Sequence, residues 1–392
     1  MEKTKRILFI AHDSRIEGGA NRSLITILTY FNSRDDYSVL VMVPNHTGDF
    51  VDYLNLQKIE YIVGNYSWQL VSNNNTKKVL KSCKLIYLFA KDCINGFYLS
   101  NRIKKYKVDL IYTNTRVIYI GNFLSAFLKV PHIMHCREFI DQVMHRRSIP
   151  FSEWFINKTT DKIICISKVM KKVYPKLEDN KISVIYNGIP FSNTLPVFDI
   201  SNKEKIKLLL AGRFSEVKGQ LDAIKAVHVL RRKYKVDADL FLAGSGGEAD
   251  YNNQMKELID QLDIKDKIHI IGEVKDMKAL RKEIDVELVC SKFEAFGRVT
   301  IEALDEGKPV VAANAPATNE IIIDNYNGLL YDSGDEECLA DKIYLLLSND
   351  SLRKNLIKNG LNAVKTKFSD TIMLTQIEEL IRNTINEGEI HI

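Results

Sequence analysis

The sequence predicts an α/β protein made of two Rossmann-like, doubly wound parallel-sheet domains. Three observations carry this reading. Short runs rich in Ile and Val alternate with stretches of helical periodicity along all 392 residues, and such alternation builds parallel sheets covered by helices. The runs are apolar at nearly every position rather than every second one, which marks strands buried on both faces. Residues 187–205 concentrate Asn, Gly, Pro and Ser, so a turn-rich segment divides the pattern into two similar halves.

The elements follow in order. In the first half the strand runs are 6–11, 37–43, 109–113, 132–135, 162–166 and 182–186. Between the first two lies a helix over 20–31, with Leu24, Ile27, Leu28 and Phe31 at helical spacing. In the second half strands read at 206–211, 239–243, 267–271, 286–290 and 309–313. Helices read at 218–233, 249–262, 277–284, 298–306, 336–348 and 351–367, and a last amphipathic helix at 370–386. The predicted organisation is an N-terminal domain over 1–187, a linker over 188–205, a second domain over 206–368, and a helix over 369–392 that crosses back to the first domain. The two domains would face each other across a cleft. No repeat with a period of 20–50 residues is present.

Composition excludes several classes. Hydrophobic residues make up 45% and charged residues 27% of the chain, which rules out general disorder. With 19 Gly and 8 Pro the chain is neither collagenous nor of low complexity. No apolar run approaches the ~18 residues of a membrane-spanning helix. The first apolar run is broken by His12 and Asp13, unlike a signal peptide, so a cytoplasmic protein is expected. The six cysteines lack metal or redox spacing and read as buried, reduced thiols. Residues 1–200 hold 28 Lys/Arg against 17 Asp/Glu, while residues 201–392 hold 27 against 33. A basic half suits anionic partners such as phosphorylated acceptors or membrane surfaces; no nucleic-acid-binding module is recognisable in it.

Ligands of doubly wound sheets bind beyond the carboxyl ends of the strands, so the residues after each strand are the candidates. After the first strand, Glu17-Gly18-Gly19-Ala20-Asn21 enters a helix. Paired glycines there let a ligand approach the positive helix end, or simply form a turn. The full GxGxxG fingerprint is absent, which disfavours dinucleotide binding. Arg213 and Lys218 bracket the loop after the strand 206–211. Two cations at a helix start can neutralise a diphosphate without a metal; taken alone they read first as surface charges. Gly244-Ser245-Gly246-Gly247-Glu248 fits phosphate or base contact and equally a tight turn. In 291–304, Gly297 would free the backbone at a helix start, so amides near Phe296 could face a phosphate. Glu294 and Glu302 are carboxylates suited to accept bonds from sugar or ribose hydroxyls, with a capping and a solvated glutamate as the plain alternative.

Together these segments resemble a known family. The run EAFGRVTIEA, preceded by AGRFSEVKG and followed by GKPVVAANAPATNEII and NGLLY, is similar to the donor-binding half of family 4 glycosyltransferases, which have the GT-B fold. GGANRSL, YTNT, MHCRE, ICISK and VIYNGI fall in the order that family shows, so the resemblance spans nearly the whole chain. It implies that Arg213 and Lys218 bind the donor diphosphate, Glu294 the sugar hydroxyls, and Glu302 the ribose. It also implies that the amides of Ala295, Phe296 and Gly297 contact sugar and phosphate, that Val274 borders the base, and that Gly19 approaches the diphosphate or acceptor. His135 matches a histidine near the anomeric carbon. Two departures bear on sugar specificity: Arg298 stands where an aliphatic residue is frequent, and Ala315-Pro316-Ala317-Thr318 replaces a glycine pair.

The resemblance implies retaining transfer of a hexose-type sugar from a nucleotide-sugar, with UDP the expected nucleotide, to a glycan or lipid-linked acceptor in surface-polysaccharide synthesis. Neither metal nor cofactor is required by that scheme. Asp237-Ala238-Asp239 mimics a metal-binding DxD but precedes a strand and reads as a polar turn. A GT-B sugar-nucleotide epimerase and an inactive GT-B partner subunit are the alternatives. Residues 76–107 interleave lysines with aromatic and aliphatic residues. They read as one or two helices lying on the cytoplasmic face of a membrane, or as helices with a solvated basic face.

Overall fold

β-Branched and aliphatic side chains fill a pleated surface well, and a strand with helices over both its faces needs them at every position. The computed structural model describes residues 4–16, 19–73, 78–140, 144, 146–192, 203–247 and 249–390. The chain divides into two compact units, Met1–Gly188 with Asp370–Ile392, and Ile189–Ser369. Residues 193–202 of the expected linker lie outside the described residues.

The first unit contains strands β1 (Lys5–Ile10), β2 (Tyr37–Val43), β3 (Glu60–Val63), β4 (Val71–Ser72), β5 (Leu110–Thr113), β6 (His132–Cys136), β7 (Arg146–Arg147), β8 (Lys162–Cys165) and β9 (Ile182–Val184). Seven of them form a parallel sheet in the order β3-β2-β1-β5-β6-β8-β9, while β4 and β7 pair antiparallel as a separate ribbon. Successive side chains of a strand point to opposite faces. Thus Ile7 and Phe9 join one core with Leu24, Ile27 and Phe31 of the helix Gly19–Asn32. Leu8 and Ile10 join another with Leu99 and Ile103 of the helix Lys78–Ile103. Each fully buried side chain of this kind contributes ~1.5–3 kcal/mol.

The C-terminal helix, Asp370–Ile390, belongs to this first unit. Its Met373, Ile377, Ile381 and Ile385 complete the core built on the Gly19–Asn32 helix. Glu378 accepts bonds from Arg34 at 3.2 Å and Arg382 at 2.9 Å, and from the Tyr30 hydroxyl.

The second unit holds β10 (Ile206–Ala211), β11 (Ala238–Ala243), β12 (Ile268–Gly272), β13 (Val286–Val289), β14 (Val310–Ala313) and β15 (Leu329–Tyr331), all parallel, in the order β12-β11-β10-β13-β14-β15. Strand order reverses between β10 and β13 here, and between β1 and β5 in the first unit. Loops leave such a point in opposite directions, which opens a ligand crevice at the carboxyl ends.

Several elements were not read from the sequence. β3 is an edge strand with only Ile62 fully covered, and β15 has three residues, so neither makes a long apolar run. Residues 78–103 form one continuous helix of 26 residues rather than two; residues 76 and 77 lie outside the described residues. The cysteine expectation needs correction: Cys136, Cys165 and Cys290 are buried, but Cys83 is exposed on that helix.

Candidate functional site

In the second unit the loops after β10 and β13 interlock. β10 ends at Ala211, and the short turn Glu216–Lys218 leads through Gly219 into the helix Gln220–Val229. Gly219 has φ +69°, and a Cβ there would stand 2.2 Å from the carbonyl oxygen of Cys290. Only glycine lets this turn press against the end of β13. The amide of Lys292 donates to the Val217 carbonyl at 2.8 Å and holds the two loops together. Lys218 thereby reaches Glu294: its ammonium donates to a Glu294 carboxylate oxygen, with 25% and 17% of the two side chains exposed.

The other candidates of this half follow the carboxyl ends of β10, β11, β12 and β13. Arg213 is exposed and packs its stem over the Gly-rich turn; a Cβ on Gly246 would lie 3.5 Å from its Nε. Glu248 lies outside the described residues. Gly297, at φ +102°, caps the helix Arg298–Asp305 with no side-chain acceptor at its start. Phe296 is buried with its ring 6.0 Å from that of Phe368, and Ala295 is half-buried. Val274 is half-buried against Leu209, Ala243 and Ile284. The neighbouring Glu273 accepts from the Ser245 hydroxyl.

Glu302 is not a free carboxylate. Its Oε1 accepts from Arg298 Nε at 2.8 Å, and its Oε2 lies 3.5 Å from the guanidinium of Arg281. Arg281 is buried and also bonds Glu287 and Glu306, each at 3.2 Å. Burial pushes the Glu287 carboxyl up to about 7, with the Arg281 charge opposing the shift. The sequence displayed Glu287 as a lone acid in an apolar strand but not the arginine that answers it.

In the first unit, Gly19 opens the Gly19–Asn32 helix, is exposed, and has nothing within 4 Å of an added Cβ. Glu17 and Gly18 lie outside the described residues. Asn21 ties the helix to the end of β1 by donating to the carbonyls of Asp13 at 3.0 Å and Arg15 at 2.5 Å. His135 is fully buried on β6. Its Nδ1 lies 2.5 Å from the Tyr112 hydroxyl and 3.0 Å from Arg137 Nη2, while its buried Nε2 has no hydrogen-bond partner. Burial and then the Arg137 charge hold its pKa well below the usual histidine value.

Around His135 stands a polar set that the sequence reading did not single out. Arg137 also donates to Asn114 Oδ1 at 3.0 Å and Asn187 Oδ1 at 2.6 Å. Glu138 accepts from the Thr115 hydroxyl at 2.6 Å and from the amides of Arg116 and Arg137, both at 3.3 Å. At the end of β1, burial pushes the His12 pKa down, opposed by Glu138 and Asp13. The available signal was positional: each of these polar residues lies within three positions of the carboxyl end of a strand.

Asp237 and Asp239 stand at the amino end of β11, away from the loops just described. Lys267 pairs with Asp237 at 2.5 Å and Lys205 with Asp239 at 2.8 Å. Among the described residues no group of three or more His, Cys, Asp or Glu is placed to hold a metal ion.

Known proteins share this architecture. Residues 17–193 match the family described as Glycosyltransferase Family 4, and residues 195–363 match the one described as Glycosyl transferases group 1. An uncharacterized glycosyltransferase of Methanocaldococcus jannaschii is 30% identical over 287 residues, covering 70% of this chain and 76% of its own. The capsular polysaccharide biosynthesis glycosyltransferase CapM of Staphylococcus aureus is 26% identical over 249 residues, 58% of this chain and 63% of its own. The crystal structure of Anabaena HepE in complex with UDP superposes with a TM-score of 0.76 at 22% identity, covering 96% of this chain and 100% of that one. The protein is a glycosyltransferase of the GT-B class. Within that class it belongs to glycosyltransferase family 4.

Proposed function

We propose that this chain is a retaining hexosyltransferase that moves a sugar from a UDP-linked donor to a glycan or lipid-linked saccharide during surface-polysaccharide or glycoconjugate synthesis. The observation that carries the reading is the Lys218–Glu294 pair, held half-buried at the topological switch point of the second unit. A nucleotide-sugar offers both groups a better partner: its diphosphate attracts the ammonium, and its sugar hydroxyls donate to the carboxylate. HepE, crystallised with UDP and with UDP-glucose, and CapM, named for capsular polysaccharide, support the donor and the pathway class.

The residue roles are those that the family resemblance implies. Arg213 joins Lys218 at the diphosphate, and the amides of Ala295, Phe296 and Gly297 meet sugar and phosphate. Glu302 holds the ribose and Val274 borders the base. On the first unit, the same resemblance assigns Gly19 to the diphosphate or acceptor and His135, buried here, to the neighbourhood of the anomeric carbon. In the transfer step the acceptor oxygen bonds the anomeric carbon as the bond to the β-phosphate oxygen breaks on the same face. The bonding pair goes to the phosphate, the acceptor proton goes to a phosphate oxygen, and UDP leaves. Arg213 and Lys218 stabilise the charge that develops on UDP, so the reading includes no metal. Orientation of the two reactants supplies the remainder.

A thermal-shift panel tests this, with UDP, GDP, dTDP and ADP, each with and without EDTA, on the wild type and Lys218→Ala. Ligand at 100 times its Kd stabilises by about 2.7 kcal/mol. A shift with UDP that EDTA leaves intact and Lys218→Ala abolishes is the expected result. No shift with any nucleotide, or one that EDTA removes, overturns the proposal.

A further inference from the structure

The helix Lys78–Ile103 is apolar on two opposite faces, and only one of them is packed. Leu85, Gly96, Leu99 and Ile103 are buried against the first unit. At 100° per residue the other side carries Val79, Ile86, Tyr87, Ile94, Phe97 and Tyr98. These six are between 54% and 76% exposed. A ring contact widens the stripe: Phe97 meets Phe127, itself exposed, at 5.8 Å. A 26-residue helix is roughly 39 Å long, so this is a large apolar surface for a protein to leave in water.

Charge decides what covers it. Residues 78–107 contain eight Lys and Arg and a single acid, Asp92. Asp92 is buried within the unit, where it accepts from Gln69 at 2.8 Å and from the Ser67 amide at 3.1 Å. Lys84, Arg102, Lys104, Lys105 and Lys107 are exposed. The surface therefore combines an apolar stripe with cations at its border and shows no exposed acid along the helix. Two copies meeting face to face would oppose like charges. A bilayer with anionic headgroups satisfies both parts, since hydrocarbon accepts the aromatic and aliphatic side chains while phosphates meet the lysines.

We propose that this face docks the protein on an anionic lipid bilayer, with Ile86, Ile94, Phe97 and Tyr98 at the boundary of headgroups and acyl chains. The docking goes beyond the transfer reaction proposed above and is measured without donor or acceptor. Among the described residues no helix is long and apolar enough to cross a membrane, so the contact is an interfacial one.

Flotation with the full chain tests this, using phosphatidylcholine vesicles with and without phosphatidylglycerol. Wild type is compared with the double variant Ile86→Glu/Phe97→Glu and with Lys84→Glu/Lys105→Glu. All four positions are exposed, and thermal unfolding verifies that each variant is folded. The expected result is binding to phosphatidylglycerol vesicles at least tenfold tighter than to neutral ones. That binding weakens with added salt and falls at least tenfold in both variants. Absence of binding to the anionic vesicles, equal binding to neutral ones, or unchanged binding by the variants overturns the proposal. So does a salt-insensitive dimer in sedimentation equilibrium that the Ile86→Glu/Phe97→Glu variant dissociates.

Discussion

Arg137 Nη2 lies 3.0 Å from His135 Nδ1, and this contact fixes the histidine's protonation. A guanidinium can only donate, so Nδ1 accepts and the ring proton sits on Nε2. His132, three residues earlier, has the opposite tautomer: its Nδ1 donates to the Thr159 carbonyl at 3.0 Å and its Nε2 accepts from the Thr113 hydroxyl at 2.8 Å. His135 is therefore a hydrogen-bond donor and not a base. Nitrogen NMR of histidine-labelled protein at pH 7 will show His135 neutral and protonated at Nε2. Arg137→Met will mix the tautomers and lower kcat about tenfold, and Arg137→Lys will restore part of both. A wild-type spectrum with the proton on Nδ1 would sink the assignment.

His132 makes stability depend on pH in a defined direction. Burial pushes its pKa down to about 4, against 6.5 for a free histidine. Between those values the unfolded chain binds more protons than the folded one. Its contribution is thus complete above pH 6.5 and is lost as pH falls toward 4, by up to about 1.4 kcal/mol per pH unit. Urea unfolding of wild type and His132→Gln should give a stability difference that shrinks steadily as pH falls through this window. Parallel pH profiles for the two proteins would contradict it.

Arg298 competes for the carboxylate assigned to the ribose. Its bond to Glu302 Oε1, at 2.8 Å and one helical turn away, occupies an acceptor that a ribose hydroxyl would use. Arg298→Leu should tighten UDP binding about threefold to tenfold in calorimetry, with little change in Tm, because a pair of this exposure contributes ~1 kcal/mol or less. Weaker binding would mean that Arg298 itself touches the nucleotide.

Two glycines should respond in opposite ways to the same substitution. Gly219→Ala places a Cβ 2.2 Å from the Cys290 carbonyl oxygen in a left-handed turn, and should cost about 2 kcal/mol or more of stability. Gly19→Ala meets no atom within 4 Å and should leave Tm unchanged. If Gly19 lies against donor or acceptor, Gly19→Ala will nonetheless raise KM severalfold. Unchanged kinetics in that variant would remove Gly19 from the site.

The strand cores were legible in the chain because burial on both faces demands an apolar residue at every position, as in Leu208, Leu209 and Leu210 of β10. Arg213, Lys218, Glu294 and Glu302 stood out by their place after those strands. Their partners did not. Glu302 meets Arg298 four residues earlier but also Arg281, which comes from a separate helix. His135 Nδ1, whose tautomer Arg137 sets from two residues away, also meets Tyr112, 23 residues away on the neighbouring strand. The helix Lys78–Ile103 carries apolar residues on both sides, so its periodicity favours neither. Docking of Leu85, Leu99 and Ile103 into the first unit selected the buried face and left Ile86, Ile94 and Phe97 outside. The sequence by itself determined which segments must be covered, because the cost of exposing apolar side chains is local to each residue. Only the tertiary structure decided which charges pair and which face stays open, because those depend on what the rest of the chain brings alongside.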